Sequence, residues 1–276
     1  MPHASRSADL LALGAVLRVR GHLARAEPLL RAAVARAEAA VAAEAPNAPS
    51  LAAALNELGL WCKAAGRYDE AEALYTRALG LLASSGDPDD VATIYHNLGG
   101  IDHARGNYAA GEALARRGLA IRAGRRMADP CALAKDMAAL AALVDAQGKH
   151  NEARHLYLRA LCIFRRAPHR NAGEIAVALN QLGVQCAHRG QLDRAAALLE
   201  RAADLKRSAH GPRHPTLALT LNNLAVIARR RGDLVRAKGL YAEAARIFKV
   251  SLGSVHPHTT TCRANAARCA RAARAQ

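Results

Sequence analysis

The sequence predicts an all-α chain of about six antiparallel helix pairs followed by a C-terminal capping helix. Three observations carry this expectation. A leucine followed eight residues later by a glycine recurs at Leu13/Gly21, Leu58/Gly66, Leu98/Gly106, Leu140/Gly148, Leu182/Gly190 and Leu224/Gly232. The glycines lie 45, 40, 42, 42 and 42 residues apart, the period of a repeat array. Of the 276 residues 51% are apolar but only 3% are aromatic, so Ala, Leu, Val and Ile must build the core, and such a composition favours helix.

Residues 1–8 are polar and read as a tail. The first repeat, about 9–48, opens on the apolar run from Leu10 to Leu17, turns at Gly21 and continues into an Ala-rich helix over 23–44. Pro28 falls near the start of that helix, where proline is tolerated better than in an interior. The second repeat, about 49–89, carries Leu58-Gly59, then Gly66, Tyr68, Ala71, Tyr75 and Ala78. The last four are spaced 3, 4 and 3, one face of a helix. The same columns hold Tyr108, Gly111, Ala115 and Gly118 in the third repeat (90–130), and His150, Ala153, Tyr157 and Ala160 in the fourth (131–173). They hold Leu192, Ala195, Leu199 and Ala202 in the fifth (174–215), and Leu234, Ala237, Tyr241 and Ala244 in the sixth (216–257). Each glycine ends a first helix, where a left-handed residue is needed. Small residues let helix axes approach, and Leu or Tyr fills the gap between layers. Linkers carry breakers: Pro46, Pro49, Gly86, Pro88, Pro130, Pro168, Gly173, Gly211, Pro212, Pro215, Gly253 and Pro257. Residues 258–276 align with a first helix alone, with Ala266 at the anchor leucine and Arg274 at the glycine. Arg263, Arg268, Arg271 and Arg274 suit the polar outer face of a terminal cap.

Lys and Arg number 39 against 23 Asp and Glu, a net charge of +16, and 33 of the 39 are Arg. Residues 51–90 carry −4, residues 216–257 carry +5, and residues 258–276 carry +4 without an acid. Compositional bias is the bland reading of this excess; the functional one is an anionic partner, nucleic acid or an acidic peptide. No stretch of about 18 residues lacks charge, so neither a membrane span nor a membrane partner is expected. The run from Leu10 to Leu17 is too short to span, and no cleavage site follows it in register. A cytoplasmic chain is expected, with Cys62, Cys131, Cys162, Cys186, Cys262 and Cys269 as free thiols.

No catalytic residue, cofactor or metal is expected. The chain has no nucleophile elbow, phosphate-binding glycine loop or His-Glu-x-x-His. His210 and His214, and His256 and His258, occupy equivalent linkers one period apart and are assigned to linker structure. Cys62 and Cys186 share a column with Leu17 and Val144, and Trp61 shares one with Val16, Ile101, Leu143 and Ile227, so these read as core.

Ala71, Tyr75 and Ala78 after Leu58-Gly59 resemble the tetratricopeptide repeat. The ~42-residue period, with His214-Pro215, Asn222-Asn223-Leu224-Ala225 and Gly232, is similar to the kinesin-light-chain variety. Gly253-Ser254-Val255-His256-Pro257 repeats its linker, and the Ala/Arg-rich repeats look bacterial. The resemblance spans about residues 9–276. It implies a right-handed superhelical solenoid that binds proteins or peptides on its concave face without catalysis. In that variety an Asn just before the anchor leucine holds ligand backbone; here the column reads Ala12, Glu57, Asn97, Ala139, Gln181 and Asn223. With first helices lining the inner surface, the expected contacts are Asn56, Asn97, Asn180, Gln181, Asn222 and Asn223. His188, Arg229 and Arg230 supply charge, which suits an acidic or carboxylate-ended segment. A side-chain amide offers a peptide both donor and acceptor; the competing role is a bridge between neighbouring helices. The alternative function is binding of nucleic acid or another polyanion through the arginine surface. Scarce aromatics weigh against base stacking.

Overall fold

The computed structural model describes residues 2–42, 48–83 and 86–274, with backbone alone at 2–8 and 48–50. Pro46 and the expected end of the second helix at 43–44 lie outside the described residues. Within them the chain forms thirteen helices and no strand: α1 Pro2–Val19, α2 Leu23–Ala42, α3 Ala48–Ala64, α4 Tyr68–Leu82, α5 Pro88–Arg105, α6 Tyr108–Ala123, α7 Pro130–Ala146, α8 His150–Phe164, α9 Ala172–His188, α10 Leu192–His210, α11 Pro215–Arg230, α12 Leu234–Leu252 and α13 Pro257–Arg274. Helix α1 thus reaches back into the stretch read as a tail, and Pro49 is the second residue of α3. The chain divides into two compact units, Met1–Lys149 with α1–α7 and His150–Gln276 with α8–α13. Each unit stacks antiparallel helix pairs. Among the described residues, no helix is long and apolar enough to cross a membrane.

The repeat glycines set the turns. Gly21, Gly66, Gly106, Gly148, Gly190 and Gly232 all have φ between +75° and +84°. In each case the next residue's N–H returns to a carbonyl five residues back: His22 to Leu17, Arg67 to Cys62, Asn107 to Asp102, Lys149 to Val144, Gln191 to Cys186 and Asp233 to Ala228. This bond and the glycine's own bond three residues back satisfy carbonyls that a helix end leaves open. A side chain with a Cβ is strained at that φ.

The small residue after each anchor leucine faces the large residue of the second helix. A Cβ on Gly14 would meet Leu30 at 2.7 Å, one on Gly59 would meet the Tyr75 ring at 2.5 Å, and one on Gly183 would meet Leu199 at 2.8 Å. Leu30, Tyr75 and Leu199 are fully buried, each worth roughly 1.5–3 kcal/mol in removed apolar surface. The third repeat departs from this rule. Ala115 replaces the large residue, and α5 and α6 close on each other through Gly99 and Gly111, where a Cβ on Gly99 would lie 3.1 Å from the Gly111 carbonyl. Trp61 is buried as expected, with its indole N–H donating to the Leu23 carbonyl at 2.9 Å.

Linker residues start the first helices. Asp87, Asp129 and His214 are N-caps whose side chains accept from backbone N–H groups two residues on, each followed by Pro at the first helical position. His256 accepts in the same way from the His258 N–H at 3.2 Å. His214 and His256 therefore cap helices, while His210 ends α10 and His258 lies in the first turn of α13; no group of three or more metal-ligating side chains converges among the described residues.

Candidate functional site

In the first unit the first helices α1, α3 and α5 line one groove of about 410 Å³. Leu11, Ala12 and Ala15 come from α1, Ala52, Ala53, Asn56 and Glu57 from α3, and Asp90, Thr93 and Ile94 from α5. Repeat register puts the residues two and one before the anchor leucine on this face in α1 and α3, whereas α5 contributes residues four to eight before its anchor Leu98, and Leu82 of α4 closes the lining. The floor is apolar and the polar groups are few. Arg18 holds Glu57 at 3.1 Å. Asn97 is 5% exposed, and its amide donates to Asn56 Oδ1 at 2.7 Å, joining α5 to α3. Asn97 therefore braces two layers, while Asn56 reaches the groove.

In the second unit polar side chains link the first helices α9, α11 and α13. Asn223 donates to Asn180 Oδ1 at 3.3 Å, and Asn180 donates to Gln181 Oε1 at 2.9 Å. The Cys262 thiol lies 3.4 Å from Asn222 Oδ1. The four amides are half-buried and run from helix to helix one repeat apart. One turn earlier on the same helices, Val177 and Leu219 stand 49% and 42% exposed. Toward the helix ends His188, Arg229 and Arg230 are exposed, and Arg230 donates to the Ala187 carbonyl at 2.7 Å. The face thus grades from apolar, through amide, to cationic.

Sequence reasoning missed a buried charge network in the first unit. Arg122 on α6 is 5% exposed and Asp136 on α7 is 4% exposed, and the Arg122 Nε donates to Asp136 at 2.6 Å. The same guanidinium donates to Asp89 at 2.9 Å and Thr93 at 3.0 Å, while His96 Nδ1 lies 2.9 Å from Asp136. The second unit holds a counterpart: buried Lys206 donates to Thr220 at 2.8 Å and to the Thr216 carbonyl at 3.2 Å. Burial pulls its ammonium down to about 8. Both pairs are 14 residues apart in the same repeat columns, a signal present in the sequence. Glu112, nearly buried, accepts from Gln147, Lys149 and Arg116, each at 2.7 Å. The Lys149 ammonium, then Arg116 and the Gln147 amide, hold its carboxyl down at about 2. Among the described residues no cysteine forms a disulfide; Cys62, Cys262 and Cys269 are buried, and Cys162 is exposed on α8.

One family model described as tetratricopeptide repeat matches residues 5–84, 50–124, 174–249 and 216–276, and a second with that description matches 137–167. BtubC (BKLC) from P. vanneervenii is 24% identical with a TM-score of 0.65, covering 85% of this chain and 94% of its own. A Podosopora anserina putative kinesin light chain with nearly identical TPR-like repeats is 19% identical with a TM-score of 0.52, covering 72% of this chain and 95% of its own. The Rap conjugation gene regulator of plasmid pLS20, solved in complex with the Phr* peptide, is 14% identical with a TM-score of 0.64, covering 78% of this chain and 57% of its own. These likenesses concern the fold. No curated protein sequence matches the chain.

Proposed function

The chain belongs to the tetratricopeptide repeat family, and from that premise we propose that it is a non-catalytic cytoplasmic scaffold that holds a protein or peptide on the faces presented by its first helices. The family is in general one of protein-interaction scaffolds, and the pLS20 relative carries a peptide. The observation that carries the reading is the groove along α1, α3 and α5, an apolar floor with a few polar groups at its edge. A binding cleft of this make-up takes apolar side chains and orients them by those polar groups. In the second unit Asn180, Gln181, Asn222 and Asn223 supply donors and acceptors, and Arg229 and Arg230, beside His188, supply positive charge. The amide-to-amide bonds make this row pre-organised, so ordering it costs little when a ligand arrives. Neither cofactor nor metal enters the function.

The test places a photocrosslinking side chain at Ala53, in the groove, and separately at Ala73, exposed on α4. In native lysate, mass spectrometry is expected to find discrete adducts from Ala53 and none of them from Ala73. Identical adducts from both positions, or none from Ala53, refute the assignment.

A further inference from the structure

Charge is divided unevenly between the two units. Residues 1–149 hold 17 basic and 16 acidic residues, a net +1, whereas residues 150–276 hold 22 basic and 7 acidic, a net +15. A compositional preference for arginine acts on both units alike and does not explain this. The larger difference is the scarcity of carboxylates in the second unit.

The structure shows where they are dispensable. Equivalent braces recur in the two units with different acceptors. In the first unit Arg122 donates to Asp136, and in the second Lys206 donates to Thr220. Arg105 in the first unit reaches Asp69, while Arg189, in the same column, donates to Asn151 Oδ1 at 2.7 Å. Arg230 donates to a backbone carbonyl. Hydrogen-bond geometry is preserved, and the positive charge is left uncompensated at these places. Ion pairs persist elsewhere in the unit, at Arg231–Asp193, Arg236–Glu200 and Arg207–Asp204.

We propose that the second unit, His150–Gln276, binds the phosphate backbone of double-stranded nucleic acid. This is independent of the peptide-binding reading above. The exposed cations lie at several places: Arg165, Arg166, Arg170 and Arg213 by the linkers, and Arg268, Arg271 and Arg274 on the capping helix. An acidic protein partner calls for one patch with an apolar centre and a polar rim; distributed cations match a polymer with a charge at every phosphate. Nineteen of the 22 basic residues are arginine, whose planar fork takes phosphate oxygens in pairs. The unit's Tyr and Phe rings, Tyr157, Phe164, Tyr241 and Phe248, are at most 1% exposed. With no Tyr, Phe or Trp ring exposed to stack on splayed bases, the contacts are backbone contacts to a duplex, without sequence preference.

The test is fluorescence anisotropy of the full chain with a labelled mixed-sequence DNA duplex, with poly-glutamate as the rival ligand. Where three to five phosphates are neutralised, duplex binding weakens by about 50- to 500-fold between about 50 and 200 mM salt. Combined Arg165→Gln, Arg166→Gln and Arg170→Gln is expected to weaken binding and to lessen the salt slope by about one for each phosphate no longer neutralised. The matched set Arg20→Gln, Arg25→Gln and Arg126→Gln, in the first unit, keeps affinity and slope. Circular dichroism confirms that both triple variants are folded. Absence of duplex binding at the lower salt, tighter binding of poly-glutamate than of duplex, or equal weakening in the two triple variants overturns the proposal.

Discussion

Arg122 and Lys206 occupy the same repeat column and both are buried, yet substitution by methionine should move stability in opposite directions. Arg122→Met leaves Asp136, 4% exposed, without its guanidinium. Removing one partner of a buried pair costs about 3–5 kcal/mol. His96 remains 2.9 Å from Asp136, and Arg125 still holds Asp89, so the lower end, about 3 kcal/mol, is expected. For a chain of this size that lowers the melting temperature by roughly 6–12 °C. Lys206 has only neutral oxygens as partners, and Thr220 retains a bond to the Thr216 carbonyl when the lysine is gone. Lys206→Met removes the cost of burying a cation and is expected to raise stability at pH 7. The sign follows from linkage. The folded ammonium titrates at about 8 and the unfolded one at its ordinary value of 10.5, so between these values the unfolded state binds more protons. The stability of the unsubstituted protein therefore rises over that window, and the advantage of methionine shrinks. Thermal and urea melts of both variants at pH 7 and near pH 10 read this directly. Loss of stability in Lys206→Met comparable to that in Arg122→Met, or an unshifted Arg122→Met, refutes the reasoning.

Gly59→Ala forces a Cβ to 2.5 Å from the enclosed Tyr75 ring and should cost about 1–3 kcal/mol in urea unfolding, whereas Gly80→Ala, whose Cβ meets nothing within 4 Å, should not destabilise the protein. Asn97→Ala should lower the melting temperature by the equivalent of about 1 kcal/mol, because its amide joins α5 to α3; an unchanged melt together with abolished ligand binding makes Asn97 a ligand-holding residue rather than a brace. Glu112, with its carboxyl held at about 2 against an ordinary 4.5, contributes stability that is complete above 4.5 and lost as pH falls toward 2. Melts of Glu112→Gln across that window should depend on pH less steeply than those of the unsubstituted protein, and equal slopes exclude the network as the cause.

How much was legible in the sequence depends on whether a feature is local or crosses repeats. Gly21, Gly66, Gly106, Gly148, Gly190 and Gly232 were legible because a left-handed residue at a helix end is a requirement of the backbone itself, repeated at a fixed period. A small residue at Gly59 and Trp61 in the core followed from the columns; that the Tyr75 ring packs on Gly59 of its own pair and that the Trp61 indole reaches Leu23 of the preceding pair did not. The amide row was legible as a row but not as a set of bonds. Asn97 and Asn56 are 41 residues apart and Asn223 and Asn180 are 43 apart. Whether such side chains meet each other or solvent is decided by the rotation and offset of successive layers, which a period allows and does not specify. Arg122, Asp136, Lys206 and Thr220 were hidden for a further reason. An isolated charge in an otherwise polar sequence reads as surface, and only burial by neighbouring helices turns it into a brace. The sequence by itself thus determined the helices, their ends and the apolar columns between paired helices, all of which rest on backbone geometry and short-range spacing. The tertiary structure alone decided which polar groups were taken out of water and paired, because desolvation is a property of the assembled layers rather than of any one repeat.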